Sequence, residues 1–254
     1  MNSLILRIKK GLKQTRAYYN FYDHRYKRSD IYKVQKHFFK QFLNSCNLIF
    51  DVGANLGNKA FIFKDFAQKV VLFEPQKYCI EQLELRYRLN SSILIEPVAL
   101  GAYVGIEKIY LSNNHTISSL SFEFITGIGK RIFPASNWNS FEEIEVNTLD
   151  NMIIKYGVPD FIKIDVEGYE LQVLCGLNYT VPIVSFEFIP NETKKTYLCL
   201  LEIYNINNSY QFNYTIGEDL EFELPANMRY GDFIKHDGIR NARSFGDIYA
   251  FLNV

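Results

Sequence analysis

Apolar positions along this chain fall into two regimes, and the change comes near residue 46. Before it, Leu4, Ile8, Leu12 and Thr15 recur at helical spacing, with Arg7, Lys9, Lys10, Lys13 and Arg16 filling the other faces, which is the periodicity of a helix with one narrow apolar stripe. Tyr18, Tyr19, Phe21, Tyr22 and Tyr26 follow as a dense aromatic cluster that needs a surface to pack on, and a second helix is predicted over 31–43. From Asn47 the pattern shortens. Apolar runs at 48–50, 70–73, 93–95, 161–164 and 183–186 are rich in β-branched and aromatic residues. Helical stretches lie between most of them, at 59–67, 78–89, 149–156 and 170–174, the last closed by Gly176. Short buried strands alternating with helices make a parallel sheet covered on both faces. With right-handed crossovers, the prediction is an α/β, Rossmann-like, doubly wound and mostly parallel seven-stranded sheet.

Two segments depart from simple alternation. Residues 101–147 are polar and aromatic with several turn formers, and are expected to form a hairpin and loop inserted over the carboxyl edge of the sheet. The tail offers strands at 211–215 and 247–252 with no convincing helix between them. Such a pair is more easily antiparallel than parallel, so the sheet is expected to end with an antiparallel C-terminal strand. The expected division is a basic helical extension over 1–45 and a single α/β domain over 46–254.

Composition narrows the function classes. With 48% apolar and 16% aromatic residues in 254, a sizeable core can form. The formal net charge of +0 argues against a nucleic-acid partner held by bulk electrostatics. That zero hides an asymmetry. The first forty residues carry eleven Lys/Arg against Asp23 and Asp30, a net of +9, so the remainder carries −9. Two readings of the preface follow: a helical arm packed over the domain or a sister subunit in an oligomer, or peripheral contact with an anionic membrane through residues 1–20. Cys46, Cys79, Cys175 and Cys199 are widely spaced and form no C-x-x-C pair, so reduced thiols and a reducing compartment are expected. No apolar run is long enough to span a bilayer, and the apolar residues after Met1 reach Arg7 too soon for a signal peptide. A cytoplasmic protein, with the inner membrane face as the alternative site, is the expectation.

The chemistry begins at Asp51-Val52-Gly53-Ala54-Asn55-Leu56-Gly57, between an apolar strand and a predicted helix. Glycines there permit a tight turn and close approach of a ligand to the backbone. Twenty-three residues after Asp51, Glu74 ends the next strand, where a carboxylate can accept hydrogen bonds from both hydroxyls of a ribose. A nicotinamide cofactor would use a similar pattern, but Asn55 stands where its second glycine would be, and Asp51 would repel a diphosphate. A ligand with a sulfonium and an ammonium and no phosphate suits this turn better. A third cluster, Ile162-Lys163-Ile164-Asp165-Val166-Glu167-Gly168-Tyr169-Glu170, crowds carboxylates at the exit of another strand, and Glu187 ends the next one. Glu167 and Glu170 are expected to serve the following helix from its first turn, with Lys163 paired to one of them.

Taken in order, the glycine turn, Phe73-Glu74-Pro75, Thr148-Leu149-Asp150, the Lys-Ile-Asp-Val-Glu-Gly block, Val173-Leu174-Cys175-Gly176 and Glu187 resemble the FkbM family of methyltransferases over about residues 47–190. The resemblance implies S-adenosyl-L-methionine as methyl donor and, usually, O-methylation of a sugar, glycan or other hydroxylated natural product. The cofactor-binding set is then Asp51, Gly53, Asn55, Gly57, Glu74, Ala99 and Asp165.

Methylating an alcohol requires its proton to be removed as it attacks. Asp165 is the first candidate for base or positioning acid, and Glu187 the second. His115, in a polar run with Asn113, Asn114, Ser118 and Ser119, is a third. The same carboxylates could hold Mg²⁺, though no metal is expected. His236, and Trp138 as a stacking surface, are weaker candidates, while His24 and His37 belong to the preface. An oxidoreductase using an NAD-type cofactor and a non-catalytic binding module remain as alternatives.

Overall fold

The computed structural model describes residues 15–190, 192–217 and 220–252. The Leu4/Ile8/Leu12 stripe and most of the expected membrane contact therefore lie outside the described residues. No helix among the described residues is long and apolar enough to cross a membrane.

The main sheet is built on β1 (Cys46–Val52), β2 (Ala67–Phe73), β3 (Ile93–Glu96), β7 (Phe161–Ile164) and β8 (Ile183–Phe188), all parallel. β11 (Gly246–Leu252) runs antiparallel between β8 and β9 (Tyr210–Tyr214), and β10 (Met228–Arg229) closes the edge, giving the order β10-β9-β11-β8-β7-β1-β2-β3. The antiparallel ending agrees with the expectation. The strand count is eight rather than seven, because the two residues of β10 pair with Phe212 and Gln211. A second sheet, β4 (Ala99–Leu100), β6 (Ser140–Asn147) and β5 (Gly105–Leu111), holds the antiparallel pair β5–β6. Between those two strands lie one 3₁₀ turn (His115–Ile117) and two short helices, α5 (Phe122–Thr126) and α6 (Ile128–Ile132).

Alternation along β1 divides the core in two. Leu48, Phe50 and Val52 face one apolar cluster, with Leu149 and Met152 of α7 (Leu149–Tyr156), Val173 of α8 (Glu170–Cys175) and Leu200 of α9 (Thr193–Ile206). Ile49 faces the other, with Phe38 and Phe39 of α2 (Asp30–Phe39), Phe63 of α3 (Ala60–Phe63) and Leu83 of α4 (Lys77–Tyr87). Strands buried on both faces need no polar side, which is why these runs are continuously apolar. Packing of α2 against the sheet runs across residue 45: Tyr32, Phe38, Phe39 and Leu43 share a core with Val70 and Phe161. α9 lies in a stretch to which the sequence pattern above assigns no element.

The aromatic cluster of α1 (Arg16–Tyr26) has a charged centre. Arg86, its side chain fully buried, reaches Asp23, donates to the Leu56 carbonyl at 2.6 Å and lies against the rings of Tyr19, Tyr22, Phe61 and Tyr87. Arg86→Ala strands Asp23 and removes the packing. Chemical denaturation should show a loss of about 3–5 kcal/mol.

Candidate active site

At β1 the chain order reverses: β2 and β3 extend to one side, and β7 returns to the other. This is the switch point where open α/β sheets bind ligands, beyond the carboxyl ends of the strands. A cavity of about 300 Å³ opens there. Asp51 near the end of β1, Gly53 and Asn55 from the turn after it, Glu74 after β2, and Lys163, Asp165 and Glu167 around the end of β7 line it.

The turn holds three residues in the left-handed region, Gly53, Asn55 and Gly57. Gly53 has φ of 82° and sits so close to β7 that a Cβ there would lie 1.9 Å from the Asp165 carbonyl oxygen. Asn55 has φ of 50°, a conformation asparagine tolerates better than most residues. Its Oδ1 accepts from Leu56 N at 2.9 Å, and its Nδ2 donates to the His115 carbonyl at 3.2 Å. Glu74 is 2% exposed. One carboxylate oxygen accepts from Asn55 N and the other from Gln76 N, both at 2.8 Å, leaving lone pairs for a ligand. Burial pushes its carboxyl up to about 7 despite those bonds.

Asp51 is the uncompensated group. Its Oδ2 is buried with no hydrogen-bond partner, and burial raises its carboxyl to about 6 against the pull of Lys163. A buried polar atom without a partner is costly in isolation and fits a cationic ligand. Lys163, also in the lining and 2% exposed, is already engaged: Nζ lies 2.7 Å from Asp165 Oδ2 and 4.0 Å from Asp247 Oδ1. Burial opposes its charge, but Asp165 and Asp247 override that and raise its pKa. Lys163 is thus paired with neither Glu167 nor Glu170, as it had been expected to be. Asp247 comes within reach because β11 inserts beside β8. Asp165 in turn is held below the ordinary carboxylate range, its burial outweighed by Lys163.

The two glutamates of the third cluster part company. Glu170 is 3% exposed, and its Oε1 accepts from Gly168 N at 3.0 Å, tying the start of α8 as expected. Glu167, with φ of 54°, instead joins the site. Carboxylate oxygens of Asp165, Glu167 and Glu187 all lie within 4.8 Å of one another. Burial, then repulsion from Asp165, raises the carboxyls of both Glu167 and Glu187 well above their usual value.

Other candidates fall elsewhere. Glu187 lines an adjoining cavity rather than this one. Gly57, with φ of 75°, packs beneath Leu83 and Tyr87, and Ala99, on β4 of the small sheet, is buried in that sheet's own apolar cluster with Ile109, Ile144 and Val146. The His115 ring packs against Tyr78, its Nδ1 is buried without a partner, and burial lowers its pKa. What His115 contributes is its carbonyl, which accepts from both Asn55 and Gln76. Trp138 donates to the Ile117 carbonyl at 2.8 Å and meets Phe124 edge-on, and His236 Nδ1 accepts from Gly238 N, so both hold loops. Lys59, Gln76, Thr116, Lys163 and Glu167 are among the wall residues that the sequence reading did not assign to the site.

Residues 51–252 match the FkbM methyltransferase domain family. The hexuronic acid methyltransferase AglP of Haloferax volcanii is 27% identical over 158 residues, covering 56% of this chain and 55% of that protein. The match thus spans about half the length of that relative. Among solved structures, the plantazolicin methyltransferase BpumL with a monoazolic desmethyl analogue and SAH has a TM-score of 0.45 at 12% identity, covering 99% of this chain and 100% of that one. The precorrin-6y C5,15-methyltransferase of Geobacter metallireducens has a TM-score of 0.46 at 7% identity, covering 87% of each chain. The family match takes in the glycine turn, Glu74, the Asp165 block and Glu187, and by it the chain belongs to the FkbM methyltransferase family.

Proposed function

We propose that the chain is an S-adenosyl-L-methionine-dependent O-methyltransferase whose acceptor is a hydroxyl of a sugar, glycan or comparable natural product. The observation that carries this reading is the partnerless Asp51 Oδ2 beside a buried Glu74 in one cavity. Together they ask for a ligand with a positive charge and hydroxyl donors. The named acceptor class of AglP, a hexuronic acid, supports a carbohydrate hydroxyl.

In this reading Asp51 meets the donor's positive charge, and Glu74 accepts from the ribose hydroxyls. Gly53 and Asn55 shape the turn, and Gly57 supports it from beneath. When bound, the donor supplies a methyl carbon activated by a sulfonium. The protein's task is then to hold the acceptor oxygen close and in line. Asp165, kept ionised by Lys163, orients the acceptor hydroxyl. Glu187 takes its proton, because burial and the neighbouring Asp165 raise its carboxyl well above the usual value and make it a stronger base once ionised. The nearby cation of the donor favours the ionised form it needs. Ala99 and the His115 ring take no direct part. A phosphate-bearing cofactor fits less well, since four carboxylates in the lining face two lysines, one already paired with Asp165.

Calorimetry on the full chain tests the reading. Binding of S-adenosylmethionine and S-adenosylhomocysteine, with none of NAD, is expected; the opposite pattern overturns it. Glu74→Gln should weaken S-adenosylhomocysteine about 10–100-fold, the worth of one or two hydrogen bonds to a charged group. Affinity should also depend on pH. Both carboxyls are raised, Glu74 to about 7 and Asp51 to about 6, so protonation through that window removes the charge the ligand needs. Binding is therefore expected to weaken steadily from pH 8 to pH 5, with proton release on binding inside the window. A flat profile would remove Asp51 and Glu74 from the contact.

A further inference from the structure

Beyond the donor cavity lies a second chamber of about 340 Å³. The two share Thr116, Asp165 and Glu167 as a common wall. Phe124, Phe133 and Phe245 form part of the other walls, with isoleucines between them. Glu187 completes an acidic floor, its carboxylate within 4.8 Å of those of Asp165 and Glu167. Among the described residues, the chamber lining includes no lysine, arginine or histidine. The side chains of Glu167 and Glu187 make no hydrogen bond to another described residue, whereas the buried Glu170 beside them has two backbone partners.

We infer that this chamber is the acceptor pocket and that it selects an acceptor carrying an amine near the reacting hydroxyl, an amino-sugar type of ligand, over a uronic acid. The inference rests on the methyl-transfer reading above. A cavity that shares its acidic wall with the donor site places its occupant against the carboxylates that would orient and deprotonate it. Aromatic walls suit the apolar face of a sugar ring or an aromatic substituent. The charge balance sets the selection. Lys163 is shared between Asp165 and Asp247, so Glu167 and Glu187 have no protein cation of their own among the described residues. An ammonium supplies one and donates to their free oxygens. A second carboxylate brought to the same floor meets like charge in a site walled off by apolar side chains and is disfavoured there.

The test uses the full chain saturated with S-adenosylhomocysteine and three phenyl β-glycosides that differ in one group: glucosaminide, glucoside and glucuronide. Calorimetry should show the glucosaminide binding about tenfold more tightly than the glucoside, with the glucuronide weaker again by a similar factor. Glu187→Gln, which touches the chamber and not the donor cavity, should reduce the amine preference while S-adenosylhomocysteine still binds. Equal affinities, no measurable binding of the glucosaminide, or a preference for the glucuronide would overturn the inference. So would a requirement for Mg²⁺ that EDTA abolishes, since the three carboxylates would then serve a divalent ion. Failure of S-adenosylhomocysteine itself to bind would instead strike the methyl-transfer reading, so the two failures are distinguishable.

Discussion

Asp165→Asn is expected to lower the methyl-transfer rate by about 10²–10³-fold, the size of effect seen when a preorganised charge is removed from a reacting centre. Asp165 stands in the wall common to both cavities, and its backbone N–H donates to Val52 at 3.0 Å, fixing the end of β7 against β1. The substitution also strands Lys163. A fully sealed pair broken on one side costs about 3–5 kcal/mol. The Asp165 side chain is 37% accessible and Asp247 remains 4.0 Å away, so about 2–3 kcal/mol is expected. In a chain of this size that lowers Tm by roughly 5–10 °C.

The two effects can be separated. Lys163→Met combined with Asp165→Asn removes both charges, and replacement of a buried pair by neutral groups is often tolerated. The double variant should recover most of the lost Tm and none of the lost rate. Recovery of the rate together with Tm would make Asp165 a structural residue and transfer the orienting role to Glu167.

Much of this site is legible in the sequence because its residues end strands. The apolar runs before Asp51, Glu74 and Asp165 mark β1, β2 and β7, and alternating strands and helices place those ends on one edge. Lateral position is harder. Glu187 also ends a strand, but β8 is separated from β1 by β7, so its side chain reaches the chamber instead of the donor cavity. The Lys163–Asp247 contact depends on β11 returning between β8 and β9, a long-range pairing with no local signal. His115 illustrates a different limit. Its polar neighbourhood suggests chemistry, while the fold uses only its carbonyl, a group every residue possesses. α9 carries a helical stripe at Thr196, Cys199, Leu200 and Ile203, but two of those four buried positions are not strongly apolar, and the stripe is hard to see. The preface shows the reverse case. The spacing predicts a helix over 31–43, and the structure places Phe38, Phe39 and Leu43 in the core with Ile49, where sequence alone cannot show what a helix covers.

Gly53→Ala should be the most damaging single change in the turn, although it adds one methyl group. At φ of 82° any Cβ is strained, which alone costs about 1–2 kcal/mol. The larger problem is the neighbour. The methyl would sit 1.9 Å from the Asp165 carbonyl oxygen and 3.2 Å from Val166 Cγ1. Backbone cannot swing aside as a flexible side chain can, so relief requires the ends of β1 and β7 to separate. That movement would break the ladder bond from Asp165 N to Val52 and shift Asp165 away from the donor cavity. A total loss of about 3–5 kcal/mol follows from clash and strain together, with S-adenosylhomocysteine binding abolished. Gly157→Ala is the matched control: it has φ of 97° with nothing within 4 Å of the added Cβ. It should show only the strain, about 1–3 kcal/mol at ψ of 168°, with donor affinity unchanged. If the two variants lose equal stability and both still bind S-adenosylhomocysteine, the close approach of β1 to β7 is not what the glycine is for. If Gly53→Ala alone loses the ligand, the first glycine of the turn is there to let two strand ends meet, and the donor cavity exists because they do.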